Sequence, residues 1–322
     1  MKRILRSVFL LISLLTALPV QALAAELLIP VGKVIGLQLQ DDTLTVAAFD
    51  DTCGTCAQDA GLKIGDQLLK VGTTPVSDAE DVKSALNGCT APVSLTVRRS
   101  GKLNTLRITP RQTDDGPRLG IYLRQGIAGI GTVTFYDPDT GIFGTLGHGV
   151  SDARGKLLSM REGTAWEASV LSVRKGKAGE PGQLKGSASP ESTLGPLLKN
   201  TPQGVFGTTS VPFPGQPLPT AAYEEITAGP ALIRSTVEGD TVREYSVEIL
   251  KIYPEDRSDG RNFLLKVTDP DLLNTTGGIV QGMSGSPILQ NDTIIGAVTH
   301  VLVNDPTMGY GIFIENMLDV AS

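Results

Sequence analysis

Gly277-Gly-Ile-Val-Gln-Gly-Met-Ser-Gly-Ser-Pro-Ile288 is the stretch on which the reading of this chain turns. Four of its twelve residues are glycine, the residue that adopts positive φ without steric cost, so a sharp turn is expected here ahead of an apolar strand. Such a turn exposes Ser284 Oγ and lets nearby backbone N–H groups, those of Gly282 and Ser284, converge where an oxyanion develops. A serine hydroxyl attacks only when a base takes its proton. The 322-residue chain holds two histidines, His148 and His300, so the imidazole has two sources.

His148 lies in Gly144-Thr-Leu-Gly-His-Gly-Val-Ser-Asp152, where an apolar strand end opens onto a His between two glycines. His300, in Ala297-Val-Thr-His-Val-Leu302, reads as a strand residue with a structural or pocket-lining role. Gly-x-Ser-Gly before Pro and an apolar strand, with His ahead of Ser in the chain, resembles the nucleophile turn of chymotrypsin-like proteases. That resemblance implies Ser284 as nucleophile and His148 as base. A hydrolase elbow would need Gly at 286, where Ser stands, and would place Ser before His. Ser286 is the rival nucleophile, but it occupies the position where the chymotrypsin pattern has Gly.

Composition agrees with a β-rich exported protein. Gly contributes 37 of 322 residues, about 11% against a usual level of roughly 7%. Hydrophobic residues at 40% supply a core, and aromatics at 5% make it mostly aliphatic. Intrinsic disorder of the whole chain is excluded. A net charge of −6 provides no footprint for nucleic acid. Residues 119–322 carry many Gly- and Pro-bounded β segments and little helical periodicity before the last dozen residues, which predicts a barrel or sandwich. Turn-rich stretches at 176–186 and 212–219 read as surface loops.

At the amino terminus, Lys2, Arg3 and Arg6 precede an uncharged run from Ser7 to Ala25 that ends in Ala22-Leu-Ala24. This is the pattern of an export signal cleaved after Ala24, or of an uncleaved membrane anchor. Either reading places residues 26–322 outside a membrane. Cys53, Cys56 and Cys89 fit a loop disulfide or inert thiols. No fourth ligand accompanies them for zinc, so no metal is expected.

Between residues 27 and 112 the chain reads as short strands around one helix. Ser77-Asp-Ala-Glu80 fits a capping box, and Val82, Ala85 and Leu86 form the stripe of an amphipathic helix. With Gly61-Leu-Lys-Ile-Gly-Asp66 before an apolar strand, this order resembles a bacterial PDZ domain. The resemblance implies that Val34-Ile-Gly-Leu37 captures an extended peptide by strand addition.

A more specific likeness runs through both parts. Thr276-Gly-Gly-Ile-Val-Gln-Gly-Met-Ser-Gly-Ser-Pro-Ile288, with Ile295-Gly-Ala-Val-Thr-His300, Val303-Asn-Asp-Pro306, Gly144-Thr-Leu-Gly-His148 and Thr201-Pro-Gln-Gly-Val-Phe-Gly207, resembles the stage IV sporulation protein B peptidase family. The likeness implies a mainly β fold, with an N-terminal PDZ domain followed by a chymotrypsin-like double β-barrel over 119–322. It also implies an exported or membrane-anchored serine endopeptidase acting between the two forespore membranes, with no cofactor. Its partners would be the extracytoplasmic part of a regulator of an intramembrane protease, on the path to sigma-factor activation, and the chain itself by self-cleavage. The family acid lies 15 residues before the serine, which places it at Asp269. Asp152 and Asp271 remain alternatives for orienting His148.

Overall fold

A computed structural model describes residues 26–152, 155–254 and 259–321, so the proposed export segment lies outside the described residues. Strands dominate, and their pairings close into two six-stranded barrels. The first barrel runs Val34–Phe49, Ile121–Tyr136, Ile142–Thr145, Gly204–Thr208, Gln183–Thr201 and Glu162–Arg174, and this last strand pairs back onto Val34–Phe49. Strand Gln183–Thr201 takes in residues 183–186, which the sequence assigned to a loop. The second barrel runs Gly229–Glu238, Thr241–Ile252, Phe263–Val267, Asp305–Phe313, Thr293–Leu302 and Pro287–Gln290. The double-barrel expectation is therefore met.

Aliphatic side chains fill each barrel, as the low aromatic content requires. Ile35, Leu37, Val133 and Val205 are buried in the first, and Ile233, Val247, Leu265, Ile288 and Val298 in the second. Between them lies an apolar seam. Phe135 and Phe206 of the first barrel meet Leu289, Ile294 and Ile312 of the second, and Ile314 and Met317 of the closing helix Ile314–Ala321 join them.

The PDZ module is not a bead on a tether. Strand Val34–Phe49 leaves the first barrel after Leu39, re-pairs from Leu44 onward inside the PDZ sheet, and strand Ile121–Tyr136 runs alongside it through both. At the crossing, Gly126 takes φ +78, and a Cβ there would sit 1.8 Å from Leu39 O. Only glycine lets the two strands slip register at so close an approach. Leu27–Pro30 also pairs with Ile121–Tyr136. Leu27–Pro30 and the first half of Val34–Phe49 thus sit with the first barrel, apart from the module in which the sequence placed them.

This corrects the peptide-binding assignment of Val34, Ile35, Gly36 and Leu37. Strand addition needs a free edge, yet these residues pair with Thr132 to Gly129 on one side, and Ile35 to Leu37 also pair with Glu167 to Ala165 on the other. Their side chains are spent on the core, with Val34 and Ile35 fully buried.

Within the PDZ module, helix Ala79–Leu86 buries Val82 and Leu86, as its period requires. Its cap is one residue later than the sequence implied. Asp78 accepts the Asp81 N–H at 2.8 Å, while Asp81 reaches back to the N–H and hydroxyl of Ser77. The turn before strand Gln67–Val71 is clamped by a fork. Arg99 Nε and Nη2 each donate to the Asp66 carboxylate at 2.6 Å, and Nη2 also reaches Gly61 O. Asp66 is 1% exposed, so removing the guanidinium strands a buried charge. Arg99→Ala is expected to cost about 3 kcal/mol of stability in urea unfolding. A loss within measurement error would show that the fork does not hold the module.

Candidate active site

The site forms where the two barrels meet. Ser284 lies in the turn before strand Pro287–Gln290, and the first barrel grips that turn through two fully buried threonines of strand Ile121–Tyr136. Thr132 N–H donates to Ser284 O at 3.0 Å, and Thr132 Oγ1 donates to Gly282 O at 2.8 Å. Thr134 Oγ1 donates to Gly285 O at 2.8 Å. A Cβ on Gly285, which has φ +95, would fall 2.0 Å from Thr132 O. The glycine is required for this close approach. Among the described residues, the amides of Gly282 and Ser284 donate to no backbone carbonyl, which leaves both available to a ligand oxygen.

Ser284 Oγ donates to Thr299 O at 2.8 Å. Its rival, Ser286, is fully buried and donates to Ser235 Oγ, so it faces the second barrel's interior and not a substrate.

His148 follows Leu146 and Gly147, two successive residues at positive φ, +70 and +66. Leu146 is a non-glycine held in the left-handed region, a strain that surrounding contacts must impose. The bend delivers His148 to the seam. A Cβ on Gly147 would lie 2.9 Å from Thr299 Cγ2, and the His148 ring centroid is 5.3 Å from that of His300 at an interplanar angle of 37°. Thr299 thus holds Ser284 Oγ through its carbonyl and packs against the Gly147 bend that precedes His148. The structure places Ser284 on Thr299 and packs His148 on the adjoining His300, a residue expected to be structural or pocket-lining.

At 3.0 Å, His148 Nδ1 faces Gly149 O. A carbonyl can only accept, so Nδ1 carries the proton and Nε2 keeps its lone pair. This is the tautomer a general base needs.

The proposed acid caps a helix. Asp269 Oδ1 accepts the N–H groups of Asp271 and Leu272, each at 3.0 Å, and caps helix Pro270–Thr276, while Oδ2 accepts the Ser246 N–H. In this arrangement it does not serve His148; Asp-Pro is a strong helix start, and capping takes the carboxylate. Asp152 Oδ1 accepts the Lys156 N–H, and Asp271 is exposed in the first turn of the capped helix.

Burial pushes the His148 pKa below its ordinary 6.5, against an upward pull from Gly149 O. His300 is pushed down to about 4, by burial first and then by the charges of His148 and Arg261, with Asp259 opposing.

The PDZ sheet does have a free edge, on residues the sequence reading passed over. Ile121 to Leu123 pair with Phe49 to Val46 on one side, and among the described residues no strand covers the other. A groove of about 640 Å³ runs between this edge and helix Ala79–Leu86, lined by Val82, Leu86, Leu119 and Leu123. Arg118-Leu-Gly-Ile121 repeats the apolar-Gly-apolar pattern of Val34-Ile-Gly-Leu37. That repetition was the available signal. Beneath the loop, a Cβ on Gly120 would lie 2.2 Å from Cys53 O, so the Cys53–Cys56 turn packs directly against it. Cys53, Cys56 and Cys89 are free thiols in this structure. Among the described residues, no cluster of His, Cys, Asp and Glu is arranged for a metal ion.

Two pH effects follow. A base must be neutral to act, and lowering its pKa extends that neutrality downward, so the acid limb of kcat/KM is expected below pH 6.5. Between pH 6.5 and about 4 the unfolded chain binds protons that folded His148 and His300 refuse, so stability falls as pH drops through that window. Thermal unfolding against pH checks the second effect, and His300→Gln is expected to flatten the decline.

Family models match both parts of the chain. A family model described as SpoIVB peptidase S55 matches residues 115–318, and a PDZ domain model matches residues 34–109. A Lactococcus lactis protein named as a zinc metalloprotease, LL2128, is 41% identical over 69 residues; the match spans 21% of this chain and 16% of that protein. Among solved structures, the inactive form of the Rv3671c protease is 14% identical, with a TM-score of 0.33 over 61% of this chain and 85% of its own. The active form, from Mycobacterium tuberculosis, is 16% identical, with a TM-score of 0.34 over 62% and 75%. With more than half its length matched by the peptidase model, the chain belongs to the SpoIVB peptidase S55 family of serine peptidases, with a PDZ domain in its N-terminal part.

Proposed function

We propose that the chain is an exported or membrane-anchored endopeptidase that cuts the extracytoplasmic segment of a regulator of an intramembrane protease, and also cuts itself. The setting is sporulation signalling between the two forespore membranes, leading to sigma-factor activation. The observation that supports the chemistry is Ser284 Oγ held on Thr299 O, one residue before the His300 ring that packs on His148, beside two amides with no backbone acceptor among the described residues.

Ser284 Oγ leaves Thr299 O and attacks the scissile carbonyl as His148 Nε2 takes its proton. The electron pair moves to the carbonyl oxygen, where the N–H groups of Gly282 and Ser284 hold it. Collapse returns the proton from imidazolium to the leaving amine, and water completes the second half by the same route. Gly149 O supports Nδ1–H throughout, the task usually given to an acid. An extended segment adds to the Ile121–Leu123 edge and sets a side chain in the groove beside helix Ala79–Leu86.

Two tests separate these claims. Purified residues 26–322 are incubated beside a Ser284→Ala version, with the regulator domain present, and all fragments are sequenced. Cuts that require Ser284 are expected in both chains; identical fragments from the two versions overturn the peptidase assignment of Ser284. Asparagine caps helices as well as aspartate, so Asp269→Asn keeps the cap, gives up the exposed acceptance from Ser246 N–H at 3.3 Å, and is expected to keep cleavage with a stability loss of about 1 kcal/mol or less. A loss near the roughly 10⁴-fold drop known for a triad acid would show that the carboxylate serves His148 during turnover.

A further inference from the structure

We propose that His300 is a positioning residue for His148. Its ring, packed on the base, holds the imidazole with Nδ1 toward Gly149 O and Nε2 toward Ser284. The inference rests on the reading of Ser284 and His148 as nucleophile and base.

Three observations converge on it. First, the two rings are in contact, with centroids 5.3 Å apart. The base therefore has a wall supplied by the opposite barrel. Second, His300 Nδ1 is buried without a hydrogen-bond partner among the described residues. Buried polar atoms are nearly always satisfied, so this ring is not placed to tie a structural network through Nδ1. Third, His300 directly follows Thr299, whose carbonyl holds Ser284 Oγ. Thr299 is itself pinned, with Oγ1 donating to Gly260 O at 2.7 Å. One short piece of strand Thr293–Leu302 thus locates both the hydroxyl and the imidazole.

Charge supports the same role. The titratable and charged groups facing His300 are His148 and Arg261, which favour its neutral form, and Asp259, which opposes them. Tyr310 pairs with it across the ladder, and the Arg261 guanidinium lies over the Tyr310 ring at 5.3 Å. His300 therefore stays neutral through the working range and does not repel His148 when that ring takes the proton.

The test uses the full chain and a fluorophosphonate, with acylation of Ser284 followed by mass spectrometry across the acidic-to-neutral range. The wild type is expected to label with its acid limb below pH 6.5, and His148→Ala to abolish labelling. His300→Ala is expected to slow labelling roughly ten- to hundredfold through misplacement of the base. It also admits water to His148, moving the acid limb up toward 6.5. His300→Phe restores a flat ring and is expected to recover most of the rate and the lower limb. Should the alanine variant fail to fold, His300→Gln, polar but without a ring, takes its place with the same expectation. A ringless variant with unchanged rate and limb overturns the proposal, and so does one that is slow with an unmoved limb, while His148→Ala still abolishes labelling. Wild-type Ser284 that does not label, or that labels without His148, instead overturns the nucleophile–base reading and this inference with it.

Discussion

The carbonyls of Gly282, Ser284 and Gly285 all end on one strand of the opposite barrel, where Thr132 and Thr134 take them up through two hydroxyls and an amide. Everything at the site depends on that grip. A glycine-rich turn has little conformational preference of its own, and three anchored carbonyls remove most of the freedom it would otherwise keep. Threonine suits the task on two counts, since its branched carbon favours a strand and its hydroxyl supplies a donor. A valine there would fit the sheet and leave a buried carbonyl without a partner, at about 1–3 kcal/mol.

The seam also sets the electrostatics. Burial does most of the tuning at the two imidazoles, with Arg261 and Asp259 also acting on His300. Desolvation penalises imidazolium, which suits a base that must be neutral at rest. It also means that the cation formed during turnover has to be supported by fixed dipoles, Gly149 O first among them. Ser284 Oγ is satisfied at rest by Thr299 O, so engaging a substrate exchanges one hydrogen bond for another.

What was legible in the sequence was the chemistry carried by local pattern. Gly-Met-Ser-Gly-Ser marked the sharp turn that carries Ser284, and a His between two glycines marked the bend that carries His148, because both depend on backbone geometry that nearby residues impose. The threonines were invisible, since Gly131-Thr-Val-Thr134 is an ordinary strand whose partners lie about 150 residues away and no local rule reports them. Asp269 carries a second local signal. Asp-Pro ahead of Asp-Leu-Leu is a helix start, and the carboxylate caps that helix, a role the triad expectation had not included. The peptide edge was misplaced because Val34-Ile-Gly-Leu37 and Arg118-Leu-Gly-Ile121 have the same pattern, and only pairing decides which of them keeps an open side.

Strand Ile121–Tyr136 carries the open edge of the PDZ module at its beginning and the grip on the nucleophile turn near its end. Leu123 and Thr132 are nine residues apart on that strand, and at roughly 3.3 Å per residue the contour between them is about 30 Å. The first barrel and the module are thus built on two common strands, Val34–Phe49 and Ile121–Tyr136. On the proposed reading, a chain seated at Leu123 and also cut at Ser284 would span a gap bounded by about that contour, roughly nine extended residues. The shared strand would then serve as a ruler, favouring substrates by the spacing between what is held and what is cut.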